Sequence, residues 1–352
     1  MIFDSESVFE ENVITVLKQH GWKDGVLRYP TERDLLDNWK DILYRNNNDI
    51  DRLGKYPLTD GEMAQIIEQI ETLRTPLALN SFVNGRTVSI TRDNKEDVAH
   101  FGKEVSLYIY DRKEIAGGKS TYQIVQQPVY PAKNTMLSSR RGDLVLLING
   151  MPLIHIELKR SGIPVSQATN QIEKYAHEGV FTGLFRLVQI FVAMTPDDAV
   201  YFANPGADKF NPSYYFHWAD YNNEPICGGQ HPGKDEWKLF IGGTSGTAGL
   251  LSIPMAHQLI GFYTIADSAD GCLKVLRSYQ YIAANAISDV VRKCDWEQRP
   301  SMPGRPGGYV WHTTGSGKTM TSFKSAQLIA DSNDADKVVF LMDRIELGDR
   351  KS

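Results

Sequence analysis

The chain has 352 residues, 41% of them hydrophobic, enough for two ordinary globular domains, which excludes a disordered or fibrous chain. Lys and Arg total 38 against 43 acids, a formal net charge of −5, so any grip on nucleic acid must rest on a local basic patch. No apolar run reaches the ~20 residues that cross a bilayer, and the acidic start MIFDSESVFEE is unlike a signal peptide; the chain reads as soluble and cytoplasmic, with no membrane partner.

In chain order, VFEENVITVLKQH places Phe9, Val13, Val16 and Leu17 on one face of a helix that stops at Gly21 and Trp22. From Tyr29 to about Leu77 the text is helical and charged, with Met63, Ile66, Ile67, Ile70 and Leu73 at helical steps. Alternation then takes over: RTVSITR, EVSLYIYD and TYQIVQQPVY read as strands. RRGDLVLLINGMPLIHIELKRS predicts a hairpin turning at Asn149-Gly150. A helix, VSQATNQIEKYAHEG, and two more strands, LVQIFVAMT and AVYFAN, complete this part. Residues 204–249 are rich in Pro, Gly and aromatics and read as surface loops, with a domain boundary near 260. Beyond it come a long helix, LKVLRSYQYIAANAISDVVRKC, a turn-breaking loop, and a strand, glycine loop, helix and strand that predict one βαβ unit. Cys227, Cys272 and Cys294 fit neither a disulfide framework nor a zinc site and read as reduced thiols.

The glycine loop is HTTGSGKT, His312 to Thr319. Gly315, Ser316 and Gly317 let backbone N–H groups turn toward phosphate oxygens at a helix start. Lys318 would reach the β/γ-phosphates of ATP and Thr319 would hold Mg²⁺. His312 stands where the strict pattern has glycine, and a plain glycine turn capping a helix is the other reading. No Asp-Glu pair follows, so the ATPase part is expected to be cut short.

In the hairpin, His155, Glu157 and Lys159 share one face by the period of two, and Ile154, Ile156 and Leu158 the other. Asp143 opens the partner strand, so Asp143 and Glu157 can converge on one Mg²⁺, with Lys159 beside it to orient water and offset charge on a phosphate. A merely solvated polar face is the alternative. On the following helix Gln171 and Tyr175 lie four apart, as groups suited to positioning a phosphate or base. Glu10 falls within the apolar arc of the first helix, where a carboxylate needs a partner. It joins the candidates, against the reading of a surface acid. Lys133, Arg140, Arg141, Lys159, Arg160 and Lys174 cluster here in sequence and supply a local positive field, unless they are a solvated charge run.

Asp143, Glu157-Leu158-Lys159 and Gln171-x-x-x-Tyr175 together resemble the nuclease core of the PD-(D/E)xK superfamily, with Gly-Asp in place of Pro-Asp. Such a core followed by TTGSGKT resembles the restriction (R) subunit of type I restriction enzymes, as do FEENVITVLKQHGW, YQIVQQPVYP and LRSYQYIAANAI. The resemblance implies an α/β fold: a nuclease-like mixed sheet flanked by helices over 1–260, with helical embellishment near 29–77, then the start of a RecA-like parallel α/β ATPase domain of the superfamily-two helicase kind over 261–352. It further implies a much longer parent chain. The expected activity is ATP-dependent, Mg²⁺-dependent hydrolysis of double-stranded DNA coupled to translocation, alongside modification and specificity subunits. Asp143, Glu157 and Lys159 would cut, Gln171 and Tyr175 would support them, and Gln280, with Arg277, matches the glutamine that reads adenine. The competing function is a helicase-type remodeller whose first domain grips nucleic acid without cutting. A small-molecule kinase is disfavoured because no lid or substrate motif is present.

Overall fold

The computed structural model describes residues 2–115, 117–130, 140–207, 209–228, 235–269, 271–293 and 308–341. The chain forms two compact units that divide after Val275, with Ala219–Asn223 grouped with the second.

In the first unit, α1 (Glu6–Gln19) begins where the Ser5 hydroxyl accepts the Val8 N–H, and it buries Phe9, Val13, Ile14, Val16 and Leu17, the arc the spacing predicts. After β1 (Val26–Arg28), α2 (Glu32–Asn46) and α3 (Asp60–Thr72) each open on a reciprocal capping box, Thr31 with Asp34 and Thr59 with Glu62. Glu62 also joins Asp97 in holding the fully buried Arg92, at 2.6 and 3.1 Å. α4 (Pro76–Asn84) is followed by an antiparallel ribbon of β2 (Thr87–Thr91) and β3 (Glu104–Tyr108).

The expected strand TYQIVQQPVY is broken. Gln127 takes φ 49°, so β4 (Tyr122–Gln126) ends and β5 (Val129–Tyr130) pairs instead with β6 (Arg140–Arg141). β7 (Leu144–Ile148) and β8 (Met151–Leu158) are joined through Asn149 and Gly150, φ 52° and 83°, the two left-handed residues of a type I′ turn. α5 (Val165–His177), β9 (Ile190–Met194) and β10 (Ala199–Ala203) follow. The main sheet has six strands ordered β1-β4-β7-β8-β9-β10. β1 with β4 and β8 with β9 are parallel and the other pairs antiparallel.

β8 is buried along its whole length. α5 lays Ala168 and Ile172 on Phe191 and Ala193, which are the parallel partners of His155 and Glu157, so the polar face of the hairpin is roofed by a helix. The solvated-face alternative is thereby excluded. The reading of residues 204–249 as surface loops is also corrected. Trp218 and Trp237 are fully buried, and Trp237, on α6 (Glu236–Gly242), meets Phe3 and Phe9 edge to face. Large aromatic area is what lets irregular backbone belong to a core. α7 (Met255–Gly261) and the hairpin β11 (Thr264–Asp267) with β12 (Cys272–Val275) end the unit, β11 and β12 packing on α4.

The second unit holds α8 (Ser278–Lys293) packed on α9 (Lys318–Ser332). The stretches 309–311 and 338–341, expected as flanking strands, pair with no strand among the described residues, and Tyr309, Trp311, Val339 and Leu341 are exposed. A strand exists through its ladder, and among the described residues these segments have none. Cys227 and Cys272 enter no disulfide among the described residues; Cys294 and Lys133 lie outside the described residues. No described helix is long and apolar enough to cross a membrane.

Candidate functional site

The site is built by a register shift. Next to the turn, Ile148 pairs with Met151 and Leu147 with Pro152; farther out, Leu146 pairs with Ile154, Val145 with His155 and Leu144 with Ile156. Leu153 is the extra residue, a β-bulge placed beside Pro152, which has no N–H to offer a ladder. Continuing the outer register sets Asp143 opposite Glu157, and directly opposed residues project from the same face.

Glu157 is wholly buried, whereas Asp143 keeps some exposure. Asp143 Oδ2 accepts the Leu158 N–H at 2.7 Å, and the Glu157 charge acts on the Asp143 carboxyl. Lys159 Nζ donates to Leu158 O at 2.8 Å and to Glu157 Oε1 at 3.4 Å, with Glu6 Oε1 at 3.7 Å. Desolvation, followed by the Glu157 charge, holds the Asp143 carboxyl well above the usual range. Burial lifts Glu157 to about 7 against the pull of Lys159. Two opposed carboxyls that are both pushed up in this way are short of positive charge.

Among the described residues no three His, Cys, Asp or Glu side chains form a metal cluster. Mg²⁺ does not need three, since it is held by one or two carboxylates and keeps several waters. Glu157 Oε2 is buried with no hydrogen-bond partner, and Asp143 opens the pair to solvent. The donor set therefore fits Mg²⁺.

Glu10 is 3% exposed and is held by the side-chain amides of Gln126 and Gln127, the latter at 3.3 Å. Burial raises its pKa, and the charge of Asp143 adds to the rise. Glu11 lies on the solvent side, paired with Arg28 at 2.6 Å. Gln171 Nε2 donates to Tyr175 Oη at 2.7 Å, and Tyr175 Oη donates to Arg141 O at 2.8 Å. The pair thus fastens α5 to the backbone leading into Asp143. Arg140 is bidentate to Glu178 at 2.9 Å, while Arg141, Arg160 and Lys174 are exposed. The spacing alone did not find Gln126, Gln127, Glu6 or Tyr130. The doubled glutamine at a strand end was the available signal for the first two. His155 was placed on the correct face but without a role. It is fully buried and pushed down to about 4 by burial, a neutral ring among Tyr130, Tyr175, Phe181 and Phe191.

In the second unit Gly315 and Gly317 take φ 79° and 80°, a conformation natural to glycine, and α9 begins at Lys318. Lys318 Nζ donates to Thr313 O at 3.2 Å, and Thr319 is exposed. Gln280 is buried against this loop. Its amide donates to Ser316 O at 3.2 Å while its Oε1 accepts the Arg277 N–H at 3.0 Å, and Tyr279 Oη donates to Ser316 O at 2.9 Å.

Residues 4–210 match the family described as Type I restriction enzyme R protein N terminus. The chain belongs to that family. Residues 279–351 match the SWI2/SNF2 ATPase family. The chain is 31% identical over 353 residues to the "Type I restriction enzyme SsaAORF53P endonuclease subunit" of Staphylococcus saprophyticus, covering 99% of this chain and 32% of that protein. It is 32% identical over 349 residues to the "Type I restriction enzyme SauMSSORF170P endonuclease subunit" of Staphylococcus aureus, covering 99% and 32%. With the "Type I restriction enzyme EcoprrI endonuclease subunit" of Escherichia coli the identity is 27% over 343 residues, covering 89% and 99%. The chain spans about a third of the length of the staphylococcal relatives.

Proposed function

We propose that the first unit cuts double-stranded DNA by Mg²⁺-dependent phosphodiester hydrolysis, and that within a longer parent enzyme this cutting is coupled to ATP-driven translocation. The observation that carries the reading is the opposed carboxyl pair of Asp143 and Glu157 with the Lys159 amine 3.4 Å from Glu157. Mg²⁺, when bound, lowers the pKa of a bound water and polarises a phosphoryl oxygen. Asp143, on the open side, and Glu157, fixed on the central strand, are the residues that would hold it. Lys159 is anchored by the Leu158 carbonyl, from where its ammonium orients the attacking water and offsets charge growing on the phosphate. Gln171 and Tyr175 steady the approach to Asp143, and Glu10, facing Gln126 and Gln127, keeps the neighbouring strand end in place. A sheet that only gripped nucleic acid would have no use for a carboxylate as fully buried as Glu157 beside Asp143, which supports the cutting reading.

The loop from Gly315 to Thr319 is the nucleotide cradle: Lys318 takes the β/γ-phosphates of ATP and Thr319 its Mg²⁺, while Gln280, whose amide and oxygen are held by Ser316 O and the Arg277 N–H, reads the adenine only on releasing them. The relatives' names, endonuclease subunits of type I restriction enzymes, support a restriction endonuclease acting as one subunit of a larger enzyme; on this reading it is site-specific, its partners are modification and specificity subunits, and it works in the cytoplasm. The test is alanine at Asp143, Glu157 or Lys159 in the complete enzyme. Each should abolish cleavage while ATP turnover continues, and cleavage surviving all three would overturn the reading.

A further inference from the structure

Two buried polar atoms face each other beside the cutting site without forming a hydrogen bond: His155 Nε2 and Glu157 Oε2, 3.4 Å apart. Both residues are 0% exposed. The other ring nitrogen, Nδ1, lies 2.9 Å from Tyr130 Oη. With Glu157 as the carboxylate that a cation requires, two proton arrangements satisfy that contact. If Nδ1–H donates to the tyrosine, the Nε2 lone pair confronts the carboxylate oxygen and two buried acceptors go unmet, which is destabilising. If the tyrosine donates to Nδ1, the ring hydrogen sits on Nε2 and points at an acceptor that has no other partner.

The space around the pair is shaped for it. Phe181, Phe191 and Tyr175 meet the His155 ring with centroids at 5.4, 6.0 and 6.4 Å. A Cβ at residue 142 would come within 2.6 Å of Tyr130 Oη and 2.9 Å of His155 Cε1. The tyrosine and the histidine therefore fill the volume that any side chain just before Asp143 would need. This accounts for Gly142-Asp143 in place of Pro-Asp.

We propose that His155 is a positioning residue: with its tautomer set by Tyr130, it directs Nε2–H at Glu157 Oε2 and holds that carboxylate in the orientation that receives the divalent cation. Partners that orient a metal-binding side chain in this way are worth roughly 10- to 100-fold in metal affinity. The inference rests on reading Asp143 and Glu157 as a cation pair.

Two measurements on the full 352-residue chain test it. In ¹⁵N-histidine NMR of the metal-free protein in mildly alkaline solution, where Glu157 is ionised, the His155 signals, assigned by their loss in His155→Phe, should show the Nε2–H tautomer; the Nδ1–H tautomer would overturn the proposal. Calorimetric titration with Mn²⁺ should show His155→Phe binding about tenfold or more weakly, Tyr130→Phe shifted the same way, and His155→Gln, which keeps a donor, recovering part. Equal Mn²⁺ affinity in His155→Phe and wild type overturns this inference alone. No Mn²⁺ uptake by the wild type overturns the reading of the carboxyl pair, and this inference with it. If His155→Phe fails to fold, the tautomer decides, with Glu157→Gln, which changes the shift of a ring bonded to Glu157, supplying the assignment.

Discussion

Asp143 stands opposite Glu157 across the central hairpin because Leu153 is one residue more than the ladder needs. Paired strictly outward from its two-residue turn, the hairpin would have set Asp143 against Ile156 and turned its carboxyl to the other face of the sheet. The bulge reverses the facing of every residue upstream on β7, and the proposed chemistry depends on that reversal.

Asp143→Asn keeps an oxygen for the Leu158 N–H and removes the charge. DNA cleavage by the complete enzyme should fall by about a hundredfold or more, since a cation held by one carboxylate loses several kcal/mol of its effect. The melting temperature of the metal-free chain should hold or rise, because a desolvated carboxyl beside Glu157 is removed. A parallel loss of fold and cleavage would show that Asp143 acts structurally.

Tyr175→Phe leaves Gln171 Nε2 and Arg141 O without their shared partner. A stability loss of about 1–2 kcal/mol is expected in denaturant titration, together with slower cleavage and unchanged ATP turnover in the complete enzyme. Unaltered cleavage would remove the link between α5 and the segment leading into Asp143.

Gly142→Ala should destabilise the chain by roughly 1–3 kcal/mol, the usual consequence of overpacking. The new methyl group meets Tyr130 Oη first, so adding Tyr130→Phe should return part of the loss. Strict additivity of the two changes in thermal melts would show that they do not share this space.

His257 is fully buried, stacked on Tyr110 with Nδ1 2.8 Å from Tyr122 Oη and Nε2 3.0 Å from Asp111 O. Burial pushes its pKa down to about 4. The unfolded ring binds its proton near 6.5 and the folded ring only near 4. Its contribution is therefore complete above pH 6.5 and is lost as pH falls through 4, amounting to about 3 kcal/mol at most. His155 titrates in the same sense, and Asp143 and Glu157 in the opposite one, so the difference between His257→Gln and wild type is the measurement. The variant should be less stable at pH 7.5 and should lose less on acidification; identical slopes would refute the assignment.

Lys318→Ala should reduce ATP hydrolysis by the parent enzyme to background, and cleavage with it, because cutting is proposed to follow movement. Lys159→Ala should spare ATP turnover. Normal cleavage by Lys318→Ala would uncouple the two activities.

Much of this architecture was legible in the residues. Asn149-Gly150 signals its own turn, and the period of two places His155, Glu157 and Lys159 together whatever surrounds them. The bulge was only half legible: Pro152, which cannot donate to a ladder, marks an irregularity, but that Leu153 is the extra residue follows from pairing on both sides. Glu10 announced itself as a carboxylate in an apolar arc, but its partners depend on the break at Gln127, where a left-handed residue ends β4. The four-residue step of Gln171 and Tyr175 showed that they neighbour one another without showing that both turn toward Arg141. Trp218 and Trp237 sit in text that resembles loop, and only the packing of Trp237 on Phe3 and Phe9 reveals them as core. The expected strands around the glycine loop find no partner among the described residues, since an apolar run supplies a face and not a neighbour.

β8 lies in the interior of its sheet with every residue shielded from water. Interior strands are the last places where amide protons exchange, opening only when the whole unit does. The cutting site proposed there cannot be sheathed by local melting. Restraint on such an enzyme has to fall on arrival, through whatever brings duplex and ion to the rim at Asp143.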